Sequence, residues 1–278
     1  MKGSLFRGAL SLIAPVLFLI LWHHVSSRIG NPVVLPQISE VGSILLHPTE
    51  NILNMGSLAR NVFVSFIRVF GGYILAAVIA IPLGLAMGYW SRLDRLLGLL
   101  LGLFRPIPPL AWIPLVLAWF GVASAATLLG IEEGEWYPFF SNIKLSMLFI
   151  IFIGAFFPIL VNTIGGVQSV RVTLIDAVKV LGASQCQIVK YVVFPYAAPQ
   201  VFTGMRVGLG VAWMCLVSAE MMPGSISGVG YLITHAYTVA QTDVVIAGMI
   251  AIGVMGVLID SIFALIERRT FQWQRLYR

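Results

Sequence analysis

From Val244 to Ile266 the chain runs for twenty-three residues with a single charged side chain, Asp260. Five other stretches are almost as apolar, near residues 5–22, 61–89, 97–120, 143–166 and 197–222. A bilayer core takes about 20 mostly apolar residues in a helix, because lipid offers no partner to an unpaired backbone N–H or C=O. The pattern therefore predicts an all-α polytopic membrane protein with six transmembrane helices. Only 10% of the 278 residues are charged, whereas soluble domains carry about a quarter. Too few polar residues remain to cover a water-soluble surface. A net charge of +6 would suit nucleic acid, but the charges gather at the ends of the apolar runs. The run at 5–22 is long for a secretory signal and lacks a small-residue cleavage site after it, so it reads as a retained span. The two cysteines, Cys186 and Cys215, fall in a polar stretch and an apolar span, which argues against a disulfide framework.

Lysine and arginine placement predicts orientation. Lys2 and Arg7 stand at the start of the first run, Arg92 and Arg95 separate the second and third, and Arg171, Lys179 and Lys190 separate the fourth and fifth. Arg268, Arg269, Arg275 and Arg278 follow the sixth. With six spans these all share one side, and both termini are expected in the cytoplasm. The opposite side receives Arg28, Glu40, Glu50, Glu132, Glu133, Glu135, Lys144 and Asp243, and is acidic overall. There, a short amphipathic helix is expected from Ser39, with Ser39 as its cap.

The longest inter-span segment on the cytoplasmic side, DAVKVLGASQCQIVKYVVFP from Asp176 to Pro195, is polar and has helical spacing. Ala177, Val180 and Leu181, then Ile188 and Val192, repeat along it; Gly182 interrupts and Pro195 closes it. A short helix, a glycine break and a second helix before span five are expected. Asp176 should lie near the start of the first helix, where its charge suits the dipole. The apolar face must be covered at the membrane surface, by lipid headgroups or by a docked protein.

This segment resembles the EAA loop of binding-protein-dependent ABC importer permeases. Asp176, Ala177 and Val178 stand at the Glu-Ala-Ala positions, Gly182 at the Gly, and Val192, Phe194 and Pro195 at the Ile, Leu and Pro. RPIPPLAWIPLVLAWFG (105–121), GAFFPILVNTIGGVQSV (154–170), FTGMRVGLGVAWMCLVSAEM (202–221) and QTDVVIAGMIAIG (241–253) look like the nitrate/sulfonate/taurine branch of that group. The resemblance implies an N-terminal span and periplasmic segment at 1–56, a MetI-like permease core at 57–270 with its coupling loop at 170–196, and a cytoplasmic tail at 271–278. It implies a type I importer in a bacterial inner membrane, built on a homodimer that bears two ATPase subunits. A periplasmic binding protein would deliver a small anion of the sulfonate, taurine, nitrate or bicarbonate kind. Coupling to the ATPase would rest on Asp176, Ala177, Lys179, Gly182, Ala183, Ser184 and Pro195. The chain has no Gly-x-x-x-x-Gly-Lys-Ser/Thr loop, so it is expected to be no enzyme and to hold no cofactor, with ATP and Mg bound by the partner ATPases.

Candidate pathway residues are Arg206, Trp213, Met214, Glu220 and Trp112. Arg206 either presents positive charge to an anion or pairs with an acidic group such as Asp260; Glu220 reads as an outer gate or loop-fixing group with Arg68 as its mate. Arg206 and Glu220 are fourteen residues apart, about 21 Å along one helix, and cannot pair with each other. Arg105 opens the proline-rich stretch and reads as a headgroup or loop anchor, while Pro106 to Pro109 predict a kinked or re-entrant element beside the pathway. Gly84 and Gly88, Gly98 and Gly102, Gly204 and Gly208, and Gly253 and Gly256 mark helix contacts, within a subunit or between subunits. Residues 122–141 make an outer-side insertion absent from the branch pattern, either a surface cap or a contact for the binding protein. An ion-driven transporter or channel is the alternative, and it predicts an internal repeat or several intramembrane carboxylates.

Overall fold

The computed structural model describes residues 2–121, 123–222 and 224–272. Arg275 and Arg278 of the expected tail lie outside them, as does Val122 of the insertion. Among the described residues the secondary structure is helical, with two isolated bridges and no strand. The helices are α1 (Lys2–Ile29), α2 (Ile38–Leu46), α3 (Leu58–Tyr89), α4 (Ser91–Phe104), α5 (Ile113–Phe120), α6 (Ala125–Leu129), α7 (Tyr137–Ser141), α8 (Leu145–Gln168), α9 (Val172–Val180), α10 (Gln185–Ile188), α11 (Phe194–Glu220), α12 (Val229–Thr238) and α13 (Thr242–Thr270). A 3-10 turn, Pro109–Trp112, leads into α5, and a π turn, Val189–Val193, joins α10 to α11.

Four helices are long and apolar enough to cross a bilayer: α3, α8, Gln185–Glu220 and α13. A fifth crossing arises if α4 and Pro109–Phe120, bent by 84°, count as one broken span. Ile13–Ile29 of α1 is a shorter apolar helix. These overlap five of the expected runs, while the expected first run at 5–22 is met only by the shorter helix, which starts at Ile13 among the residues searched. The bend falls at Arg105–Pro108, where prolines at 106 and 108 have no N–H to donate and Pro108 takes an extended backbone, φ −57° and ψ 136°. The first helix after α1 departs from expectation at its start. Gln37, not Ser39, is the cap residue of α2, and Glu40 reaches back to accept a hydrogen bond from the Gln37 N–H at 2.9 Å.

The chain forms two compact units. The first is drawn from Met1–Val64 and Ser227–Val254. Its core joins Leu58, Leu232, Ala236 and Val244. Asn61, buried, accepts a hydrogen bond from the Gly228 N–H at 2.9 Å and donates to the carbonyls of Met55 and Ser57, so it ties the start of α3 to the start of α12. Thr242 Oγ1 donates to the Val33 carbonyl at 2.6 Å.

The second unit, drawn from Ser65–Ile226 and Met255–Arg278, is organised around α8. In lipid no hydrophobic force brings apolar helices together, so close backbone approach and van der Waals packing must do it. Glycines supply the approach. A Cβ at Gly84 or Gly88 of α3 would lie 2.7 and 2.6 Å from Thr163 and Val167 of α8. One at Gly204 or Gly208 of α11 would lie 2.6 and 2.9 Å from Asn162 and Ile159. Gly102, Gly253 and Gly256 face open space within the chain. The glycine pairs thus separate into those that seat helices inside the subunit and those that do not.

Gly208→Ala is expected to cost about 1–3 kcal/mol, because the new methyl meets the Ala155 carbonyl and the Ile159 side chain, neither of which has room to retreat. Gly210→Ala, with nothing within 4 Å, is the matched control. Thermal unfolding of the two detergent-solubilised variants should show a lowered midpoint for the first only.

Candidate functional site

Four features lie in the second unit. The first is the polar segment after α8. Helix α9 ends in a tight cap: Gly182 adopts φ +83°, its N–H donates to the Lys179 carbonyl, and the Ala183 N–H donates to the Val178 carbonyl. A side chain at Gly182 would have space but not the backbone conformation. Ser184 then caps α10, accepting from the Gln187 N–H while the Gln187 side chain accepts from Ser184 N–H. Ile175, Val178 and Ala183 rest on a core of Val167, Val170, Ile188, Val193, Ala197 and Val201. Val180 and Leu181, 88% and 84% exposed, stand at the opposite tip. The Tyr89 hydroxyl donates to Gln185 Oε1 and ties the end of α3 to the same region.

Two expectations for this segment are corrected. Pro195 does not close the second helix: Gln185–Glu220 is continuous over 36 residues. The π turn makes this possible, since the Phe194 N–H reaches back five residues to Val189 and the widened turn receives the proline ring. Asp176 does not sit at a helix start either, because α9 begins at Val172. It pairs instead with Lys179 at 3.3 Å, both side chains largely exposed, which makes Lys179 an internal partner as well as a surface cation.

The second feature is a buried ion pair. Arg68 Nη1 of α3 lies 2.8 Å from Glu220 Oε1, and the two side chains are 2% and 0% exposed. Ser65 Oγ lies 2.8 Å from both carboxylate oxygens. The pairing expected from the sequence is therefore present, at the last residue of α11. The third is a surface pair. Arg206 meets Asp260 of α13 through Nε at 2.6 Å and Nη2 at 2.7 Å, with Glu267 at 3.3 Å from Nη1. Of the two readings of Arg206, the acidic partner is the one realised in the chain.

The fourth feature is a cavity of about 380 Å³ bounded by the proline-rich bend, the middle of α8 and the middle of α11. Arg105, Ile107, Phe157, Asn162, Val207 and Val211 are among its walls. Arg105, exposed in the turn after α4, thus lines a cavity together with residues from the middle of α8 and α11. Of the candidate pathway residues, Met214 is exposed on α11, Trp213 is buried in the helix packing and Glu220 is held in its ion pair. Trp112 joins an aromatic cluster with Phe104 and Phe149, at centroid distances of 5.7 and 6.2 Å. The cavity's polar groups, Arg105 and Asn162, are not among the pathway candidates that the sequence offers. Their signal is a charge and an amide flanking prolines inside apolar runs.

The insertion is folded as two short helices, α6 and α7, above a pinned base. The Ala125 N–H donates to the Ile143 carbonyl at 2.8 Å and the Leu145 N–H to the Ala123 carbonyl at 3.0 Å. Leu128, Leu129 and Trp136 are exposed on it.

Residues 80–272 match the family described as "Binding-protein-dependent transport system inner membrane component". An ABC transporter permease protein of Methanocaldococcus jannaschii is 45% identical over 269 residues, 97% of this chain and 93% of that protein. The taurine transport system permease protein of Escherichia coli is 30% identical over 260 residues, 93% and 86% of the two chains. The nitrate import permease protein of a Synechocystis species is 32% identical over 258 residues, 92% and 86%. Among solved structures, a chain of the MetNI methionine ABC transporter in inward-facing conformations superposes with a TM-score of 0.61 at 18% identity, covering 76% of this chain and 95% of that one. That likeness is one of fold.

Proposed function

This chain belongs to the binding-protein-dependent transport system inner membrane component family, the MetI-like permeases of ABC transporters, and from that premise we propose that it forms the membrane path of an ATP-driven importer for a small anion. Two copies would enclose the path, each contacting an ATPase subunit that binds ATP and Mg, and a periplasmic protein would deliver the solute. Both termini would face the cytoplasm. The relatives' printed substrates, taurine and nitrate among them, support an anionic solute of the sulfonate or oxyanion kind.

The observation that carries this reading is the α9 tip. Val180 and Leu181 are large aliphatic side chains left bare at the end of a helix whose other face is anchored in the core. Exposed apolar groups on a rigid mount mark a protein contact. Asp176, Ala177, Lys179, Gly182, Ala183 and Ser184 shape and surround that mount, and Pro195 lies in the helix that continues it. Closure of an ATPase pair against the tip would bear on Gln185–Glu220, the same helix that borders the cavity, through the Gly182 turn and the core that α9 shares with that helix.

The test is reconstitution of the full chain with its cognate ATPase and binding protein in proteoliposomes. Co-purification of the ATPase is expected, with hydrolysis stimulated by the loaded binding protein and solute uptake dependent on ATP. Uptake driven equally well by an ion gradient without nucleotide would overturn the proposal.

A further inference from the structure

We propose that the cavity at the proline-rich bend is a solute subsite within the permease itself, that Arg105 is its headgroup ligand, and that it takes an organic anion with a short aliphatic body. This rests on the reading above that the chain carries an anion, and it goes further by placing selectivity in this chain.

Three observations converge. First, Arg105 is the charged side chain in the cavity lining, whereas Arg68 and Arg206 are paired elsewhere, with Glu220 and with Asp260 and Glu267. Arg105 has no carboxylate partner among the described residues. Its guanidinium is exposed at the cavity and free of an internal carboxylate, so it can meet an anion there. Second, the irregular backbone at 105–108 borders a cavity, the setting in which broken helices are tolerated in a membrane. Third, the remaining walls are chiefly apolar. Ile107, Phe157, Val207 and Val211 surround a space of about 380 Å³, within the usual range for small-molecule pockets. Asn162 adds one amide, whose Nδ2 is already committed to the Pro158 carbonyl at 2.8 Å. A bare oxyanion such as nitrate meets the cation but gains nothing from these walls. An alkanesulfonate meets both, with its charged oxygens on the guanidinium and its methylenes against isoleucine, phenylalanine and valine.

The chemistry predicts a slope. Each methylene moved from water into an apolar wall should tighten binding about fourfold. The experiment measures equilibrium binding of methane-, ethane-, propane- and butanesulfonate, and of nitrate, to the assembled transporter in phosphatidylcholine nanodiscs. Affinity is expected to climb with chain length until the cavity fills, with nitrate weakest. Arg105→Gln should weaken every sulfonate by about tenfold or more, and Arg105→Lys should keep most of the affinity. Val211→Asn should flatten the slope, weakening butanesulfonate more than methanesulfonate. Retained ATPase binding by each variant shows that it is folded; if Arg105→Gln loses it, Arg105→Lys and Val211→Asn carry the test.

A flat slope, or sulfonate binding indifferent to Arg105→Gln, overturns the subsite. Repeating the measurement with phosphatidylglycerol separates solute from lipid: if Arg105→Gln alters only the effect of that lipid, Arg105 is a headgroup anchor and the subsite is wrong. An assembly that couples ATP hydrolysis to uptake yet shows no slope leaves the importer reading intact and removes this inference alone. An assembly that never engages an ATPase removes the importer reading, whatever the sulfonates do.

Discussion

Glu220→Ala is expected to destabilise the folded permease by about 3–5 kcal/mol. The carboxylate is fully buried, accepts from Ser65, and lies 2.8 Å from the Arg68 guanidinium. Its removal leaves a guanidinium enclosed between α3 and α11 with its counter-charge gone. A charge cannot simply relax into water from a side chain 2% exposed. Arg68→Ala should cost a similar amount for the mirror reason. The double variant Arg68→Met/Glu220→Leu removes both charges and fills the space with apolar atoms, so it should recover most of the loss. A double variant more stable than either single is the signature of a direct pair, because independent sites would add their losses. Glu220→Gln should fall between, since the amide still accepts from Ser65 but no longer balances Arg68. Thermal unfolding in one detergent, with all four variants compared, reads each term. If either single variant stayed within about 1 kcal/mol of the parent, the pair would not be what fixes the end of α11 to α3.

That pair is legible in the sequence, and the reason is physical. A charge inside an apolar run must find its opposite, and the spans hold only a few. Scarcity alone points Arg68 to Glu220 and Arg206 to Asp260. The spans are legible for the same reason, as runs whose ends are marked by charge. What stays hidden depends on angle and register. The prolines after Arg105 announce a break, but no residue type announces an 84° turn, or that Arg105 lines one cavity with Phe157 and Val211. Pro195 misleads in the opposite sense. A proline ordinarily ends a helix it has not begun, yet one turn of i to i+5 bonding at Val189–Val193 absorbs it. Tryptophan is a poor guide to the cavity, because Trp112 and Trp213 find more surface to bury against helices than against an open space.

Val180→Asp combined with Leu181→Asp is expected to abolish capture of the ATPase while leaving the permease as stable as before. The two side chains are 88% and 84% exposed, and the core beneath α9 is built from Ile175, Val178 and Ala183 instead. Carboxylates at the tip therefore break nothing within the chain. At a docked interface they would replace two central apolar contacts with charges that must be desolvated. Central contacts of this kind are worth about 2 kcal/mol or more each, so the pair should weaken association by about a hundredfold or beyond. The amount of ATPase retained per permease, the unfolding midpoint and ATP-dependent uptake should be read on the same preparations: the first and third fall to background, the second does not move. Gly182→Ala separates shape from chemistry. It leaves Val180 and Leu181 in place but strains a backbone held at φ +83°, at a cost of about 1–2 kcal/mol, so it should lower capture modestly and the unfolding midpoint with it. A double aspartate variant that still held its ATPase and transported at the parent rate would show that force enters this protein somewhere other than the α9 tip.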